Sequence, residues 1–154
     1  MKPEPDIRVL EPADATEYKR LRVEAADDPS FGTTPALELA WSTPLLAQAL
    51  GQDDGGFILG AFDSVDRDRL IGMVGYGRGM IEGTGSLFGL YVSPAHRRAG
   101  VGGQLCEALV ARQPGDTIRL EVLRSNTGAI SLYRTLSFDI QQTNEETVVM
   151  VRRP

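Results

Sequence analysis

A chain of 154 residues can build one sizeable hydrophobic core but not two independent ones, so residues 1–154 read as a single domain. Apolar residues make up 42% and charged residues 24%, ordinary globular proportions that exclude a disordered chain and a coiled coil. The 16 Lys and Arg against 21 Asp and Glu leave a formal charge of −5, which argues against broad contact with nucleic acid or anionic lipid and leaves room for a local basic site.

The opening Met1-Lys-Pro-Glu-Pro-Asp6 holds no apolar signal core, and no stretch approaches the ~20 apolar residues needed to cross a bilayer. A cytoplasmic protein is expected. Pro3 and Pro5 stiffen the entry to a short strand at Ile7 to Leu10. Asp14 is placed to cap a helix from Ala15 to Ala26, with Tyr18, Leu21, Val23 and Ala25 at roughly helical spacing and Asp27-Asp28-Pro29 as the stop. A second helix is predicted from Pro35 to Leu50, carrying Leu37, Trp41, Leu45, Ala49 and Leu50 on one stripe and closing at Gly51.

Two β-like runs, Phe57 to Phe62 and Leu70 to Tyr76, flank a polar stretch and read as a hairpin. Thr84 to Val92 is a further strand, Arg98 to Arg112 a helix, Thr117 to Leu123 a strand and Asn126 to Leu136 a helix. Closing strands fall near Phe138 to Gln141 and Thr147 to Val151. The order is mixed α/β, without a repeat or a linker. One cysteine, Cys106, and one histidine, His96, cannot make an internal disulfide or a zinc cluster of known spacing.

The most informative segment runs from Leu87 to Val110, from a strand through a basic, glycine-rich turn into an amphipathic helix. Val101, Leu105, Ala108 and Leu109 form the buried stripe of that helix, which puts its first turn near Gly100 to Gly103. Amides at a helix start lack intrahelical partners and lie at the positive end of the helix dipole, and glycines let a diphosphate approach. Arg97 and Arg98 add charge there. A plain tight turn is the alternative reading of the glycines. The sequence holds no G-x-x-x-x-G-K-S/T loop and no full dinucleotide fingerprint.

Arg97-Arg-Ala-Gly-Val-Gly102 resembles the Q/R-x-x-G-x-G/A signature of the GCN5-related N-acetyltransferase (GNAT) superfamily. The run from Leu120 to Phe138, a strand followed by an Asn-led helix and a Tyr before a Leu-Gly-Phe-type ending, is similar to its second hallmark. Two departures stand out: Ser137 replaces the usual glycine, and Ala99 a residue that is often glycine or basic.

The resemblance implies a mostly antiparallel sheet of six or seven strands flanked by about four helices. Strands 84–92 and 117–123 should be parallel and splayed around an acetyl-CoA cleft. Its cofactor-binding set is Leu90, Tyr91 and Val92 on the strand, Arg97, Arg98, Gly100, Val101, Gly102 and Gly103 in the turn, and Asn126 beside the pantetheine arm. Backbone groups of Leu90 and Val92 would pair with the pantetheine amides. The implied activity is N-acetylation of a primary amine, a small molecule or a protein N-terminus, by direct attack in a ternary complex. A non-catalytic acyl-CoA-binding regulatory module on the same fold is the competing function.

Asn126 and Tyr133 lie about two helical turns apart and share a helix face. By resemblance, Tyr133 sits near the sulfur and protonates the departing thiolate. Its ordinary reading is a core aromatic with a wet tip. An amine must lose a proton before it attacks; Glu121 points opposite Leu120 and Val122, and because its strand resembles the one flanking the family's acetyl site, the resemblance makes it the first candidate base. A structural role for Glu121, Glu82 acting through water, and a site with no side-chain base are the alternatives. Ser86 stands where some relatives place a glutamate.

His96 is expected as an exposed loop residue and Cys106 as a small core residue, and Trp41 as packing for its helix, with the lining of an acceptor cleft as its alternative. Asp27, Asp28, Glu38, Asp53 and Asp54 are expected on a solvated face, with attraction of a cationic amine as the alternative. No acceptor is assigned, and exposed sheet edges leave a homodimer open.

Overall fold

The computed structural model describes residues 4–154; Pro3, expected to stiffen the first strand, lies outside them. Seven strands form one sheet in the order β1-β2-β3-β4-β5-β7-β6. They are β1 Asp6–Val9, β2 Phe57–Phe62, β3 Leu70–Arg78, β4 Thr84–Val92, β5 Thr117–Leu123, β6 Asp139–Thr143 and β7 Thr147–Arg152. All neighbours are antiparallel except β4 and β5. The expected mixed sheet with one parallel pair is therefore present.

Two clusters fill the space on the sheet. Helix α4, Val101–Arg112, and helix α5, Thr127–Thr135, pack Leu105, Cys106, Leu109 and Tyr133 with Leu59, Ile118, Leu120 and Met150. Helix α1, Ala15–Ala25, and helix α3, Thr43–Leu50, pack Tyr18, Leu21, Ala25 and Leu46 with Phe62, Leu70, Met73 and Tyr91. Cys106 is 0% exposed, as its place in the apolar stripe requires, and burial pushes its thiol up to about 12.

Three sequence expectations need correction. The helix drawn from Pro35 to Leu50 is two helices, α2 at Pro35–Ala40 and α3 at Thr43–Leu50. Proline has no N–H to donate, so Pro44 is tolerated only in the first turn of a new helix. That turn is capped by the Ser42 hydroxyl, which accepts from the Leu45 amide at 3.3 Å. The break raises the helix count to five among the described residues and disrupts the apolar stripe: Leu37, Trp41 and Leu45 are exposed, whereas Leu46 is buried.

Second, Glu38 is no solvated charge. It is 3% exposed and holds Arg22 through two bonds, Nε to Oε2 at 2.6 Å and Nη2 to Oε1 at 3.0 Å, while Arg22 also donates to the Tyr18 hydroxyl at 2.9 Å. A carboxylate can be buried at this depth only with such a partner. Third, Asp14 occupies the cap position of α1 without capping it through its side chain. Its carboxylate is taken by Arg8 at 2.8 and 2.9 Å and by the Glu11 amide at 2.7 Å.

Helix α5 ends in a tight closing motif. The Phe138 amide donates to the Tyr133 carbonyl at 3.0 Å and the Ser137 amide to the Arg134 carbonyl at 3.1 Å. The rings of Tyr133 and Phe138 meet at 5.8 Å, the apolar contact that accompanies this termination. The motif needs a left-handed residue at Ser137, and Ser137 has φ +71. The serine thus keeps the glycine conformation at a steric cost of about 1 kcal/mol. Ser137→Gly should stabilise the protein by about 1 kcal/mol and raise the melting temperature by about 2–4 °C, read by calorimetry. No rise would mean the serine is not strained.

Candidate active site

The parallel pair β4–β5 is joined at only three positions, Thr84 with Thr117, Gly85 with Ile118 and Ser86 with Arg119. Beyond them the strands separate into a cleft of about 400 Å³. Ser86 to Leu90 line it on one side and Arg119 to Leu123 on the other, with Asn126, Tyr133 and Thr147 also contributing. A bulge helps to open it. Between the pairs Met73–Tyr91 and Gly75–Phe88, β4 carries one residue more than β3, and Gly89 takes φ +65 to accommodate it.

The free edge of β4 is a row of peptide groups. The Ser93 amide donates to the Ile71 carbonyl at 2.8 Å, so the alternation of antiparallel bonding turns Tyr91 towards β3 and Val92 away from it. The Val92 carbonyl is already engaged by Arg97 Nε at 2.9 Å, which leaves its amide facing the cleft side. The Tyr91 side chain lies in the α1–α3 cluster, edge-on to Phe31 at 6.0 Å. Burial, with the Glu24 carboxylate accepting from its hydroxyl, pushes that phenol up to about 12.

The turn after β4 leads into α4 through two left-handed residues, Arg98 at φ +63 and Gly100 at φ +80. The first bond of the helix is Gln104 N–H to the Gly100 carbonyl at 3.0 Å, so the amides of Val101, Gly102 and Gly103 have no partner within it. Gly100 has no side chain with which to cap them. A Cβ at Gly102 would meet only Leu132 and Val92, at 3.7 and 3.8 Å, and one at Gly103 only Leu132 at 3.4 Å. These are ordinary contacts. Packing does not demand glycine at either place, although each costs a helix about 1 kcal/mol relative to alanine. What the glycines leave is open approach to three donor amides at the positive end of α4.

Arg98 is exposed beside these amides. Arg97 is tethered: besides holding Val92 it lies 3.5 Å from Asp28 and stacks 5.4 Å from the Tyr91 ring centre. Asp28 and Tyr91 thereby fix the turn to the end of α1. Val101 is buried in the core, so only its backbone is available to a ligand.

Tyr133 and Asn126 sit on the cleft together, as their spacing predicts. Asn126 precedes α5, and its Oδ1 accepts from the Ala129 amide at 3.2 Å, which leaves its NH₂ group to donate to a ligand. Tyr133 is 6% exposed, and among the described residues its hydroxyl makes no hydrogen bond. Burial raises its phenol above the ordinary tyrosine value, with the neighbouring Cys106 adding to the effect. Glu121 is exposed on the opposite face of β5 from Leu120, and its Oε2 accepts from Thr147 Oγ1 at 3.4 Å.

Of the lesser candidates, Ser86 lines the cleft, whereas Glu82 stands before β4, at the end where β4 and β5 are still paired. His96 is half-buried in the turn Pro94–His96 and lies away from the cleft lining. Trp41 does not pack its helix: the residue is 49% exposed and lines a second pocket. Sequence reasoning missed Phe88, although alternation from Ser86 puts it on the cleft. It also missed Asp28 and Thr147, which reach the site from distant segments without any local signal.

The profile of the acetyltransferase (GNAT) family matches residues 18–138, a span that holds both the glycine turn and the Asn126–Tyr133 helix. The chain belongs to this family. An acetyltransferase of the GNAT family from Streptococcus pneumoniae shares the fold with a TM-score of 0.82 at 18% identity, covering 97% of this chain and 98% of that one. A phosphinothricin acetyltransferase from Sinorhizobium meliloti, solved with AcCoA, gives 0.76 at 18% identity over 97% and 88% of the two chains. A ribosomal-protein-alanine N-acetyltransferase from Brucella melitensis gives 0.75 at 19% identity over 97% and 99%. No curated protein sequence matches.

The cofactor of the family is acetyl-CoA. The residues present fit it, because three unpartnered amides behind glycines that packing does not require form a cradle for a diphosphate. Gly102→Glu tests that cradle. A Cβ at this position makes only ordinary contacts with Leu132 and Val92, so the fold should persist while the carboxylate enters the cradle and repels the diphosphate. CoA affinity measured by calorimetry should fall at least about 100-fold; unchanged affinity would make the turn purely structural.

Proposed function

We propose that the protein is an acetyl-CoA-dependent N-acetyltransferase that acetylates a primary amine by direct attack within a ternary complex. One observation carries this reading. The gap between β4 and β5 brings Tyr133 on the α5 side and Glu121 on the opposite face of β5 to a single opening.

The amides of Val101, Gly102 and Gly103, with Arg98, would bind the diphosphate. The Asn126 NH₂ group and backbone groups of Leu90 and Val92 would bind the pantetheine arm. Arg97 and Tyr91 support these contacts from behind rather than through a free charge. Bound acetyl-CoA supplies the acetyl group as a thioester. Glu121 accepts a proton from the acceptor nitrogen as the C–N bond forms, and its ionised carboxylate is suited only to accepting. Tyr133 donates its proton to the sulfur as the C–S bond breaks and regains one from solvent. The raised phenol keeps that proton available throughout the neutral range.

Two of the three structural relatives act, by name, on phosphinothricin and on a ribosomal-protein alanine. Both amine classes therefore remain within this reading, as does a cytoplasmic setting. A thiol-release assay with an amine panel separates the enzyme from a module that only binds acyl-CoA, since the module would release none.

The division of labour has a kinetic signature. Tyr133→Phe keeps the ring and deletes the proton, so turnover should drop about 10²- to 10⁴-fold with little change in CoA affinity. Glu121→Gln should lower kcat and flatten the acidic limb of the rate profile. The wild-type rate should show no fall from Tyr133 ionisation below pH ~10, because a raised pKa shifts the loss of the acid to higher pH. Full turnover by Tyr133→Phe with chemistry rate-limiting would remove the acid role. An unchanged pH profile in Glu121→Gln would return Glu121 to a structural one.

A further inference from the structure

A second cavity, of about 650 Å³, lies between α1, α3 and strands β2 to β4. Its apolar wall is Trp41, Leu46, Ile58 and Phe88, and Phe88 also lines the β4–β5 cleft, so the two spaces share a wall. Phe88 is 48% exposed, and its ring occupies room left by Gly75, where a Cβ would lie 2.4 Å from it. Phe88 and Glu121, each two residues beyond the last paired positions Ser86 and Arg119, share a face of the sheet and line the cleft from opposite strands. The cavity therefore borders, at Phe88, the cleft that holds the proposed proton acceptor.

Its electrostatics are balanced. Arg22 reaches the cavity with its charge matched by Glu38, and Arg78 and Asp54 oppose each other in sign at the exposed rim. The Tyr18 hydroxyl accepts from Arg22 and so retains its own hydrogen for a neutral acceptor. Such a lining gives no row of carboxylates to a polycation. It suits an uncharged apolar body, for which half-exposed aromatic walls are favourable.

We propose that the acceptor is a primary amine with an uncharged, ring-sized apolar body that lodges in this cavity, with Phe88 and Trp41 as specificity-determining residues and the amine directed towards Glu121. The assignment rests on the acetyltransferase reading, and its test separates the two. Trp41 is the single tryptophan of the chain and reports occupancy directly. The whole protein is titrated with 2-phenylethylamine, ethylamine, spermidine and a short peptide with a free N-terminus, first by fluorescence and then in the thiol-release assay. Phenylethylamine should shift Trp41 emission saturably and show kcat/KM at least about tenfold above the other three.

Ala49 lies exposed on α3 at the cavity wall, so Ala49→Phe narrows the space without touching the core. It should erase the preference for phenylethylamine over ethylamine, chiefly through KM, and Phe88→Ala should do the same. Spermidine or the peptide as the better substrate, or a preference that survives Ala49→Phe, would overturn the proposal. A saturable Trp41 shift that Ala49→Phe abolishes, with no amine acetylated, would support the cavity's occupant and remove the acetyltransferase reading instead.

Discussion

A parallel strand pair normally satisfies its peptide groups along its whole length, since a buried polar group without a partner costs about 1–3 kcal/mol. Here β4 and β5 stop pairing after Ser86 and Arg119, although both strands run on for several residues. The rest of the site follows from that interruption. The exposed β4 edge becomes a template for a ligand that carries its own amides, and the gap lets the two faces of the sheet communicate. The extra residue in β4 sustains the separation, because a strand in regular register with both neighbours would close the gap.

An opening through a sheet is useful only when its rims are rigid, and each rim is tied by a different device. The glycine turn is held by Arg97, whose guanidinium joins the Val92 carbonyl, Asp28 and the Tyr91 ring. The α5 rim is held at its start by the Asn126 cap and at its end by the paired bonds from Ser137 and Phe138. Tyr133 contributes the carbonyl that accepts the Phe138 amide, so the motif that ends the helix also fixes the ring. A strained serine at the closing position still preserves that geometry, which shows how strongly the surrounding packing determines it.

Much of this was legible because the informative patterns are local. The limits of β4 and β5 agree with the sequence reading, since apolar runs bounded by turn residues mark strands well. The buried stripe puts the first turn of α4 near Gly100 to Gly103, as found, whereas the start drawn at Arg98 falls three residues early because Arg98 and Gly100 are left-handed. What escaped depends on distant partners. Glu38 looks like any surface carboxylate until α1 brings Arg22 against it. Arg97 looks like a free surface cation until the Val92 carbonyl, Asp28 and the Tyr91 ring are placed around it. The one local signal that was overlooked is Ser42-Thr-Pro44, where a capping hydroxyl precedes a proline and announces a new helix.

The fold also keeps the proposed acid, Tyr133, apart from the proposed base, Glu121, although both line one cleft. A phenol and a carboxylate facing the same small volume would hydrogen-bond directly, and neither would be aimed at a substrate. Strand alternation prevents that: Leu120 faces the α4–α5 side with Tyr133, and Glu121, one residue on, faces the other side. Tyr133 is consequently surrounded by apolar neighbours that keep it protonated, while Glu121 remains in contact with water and Thr147. One strand thus supplies two environments of different polarity within a single residue step, and the missing β4–β5 bonds are what let both reach the same opening.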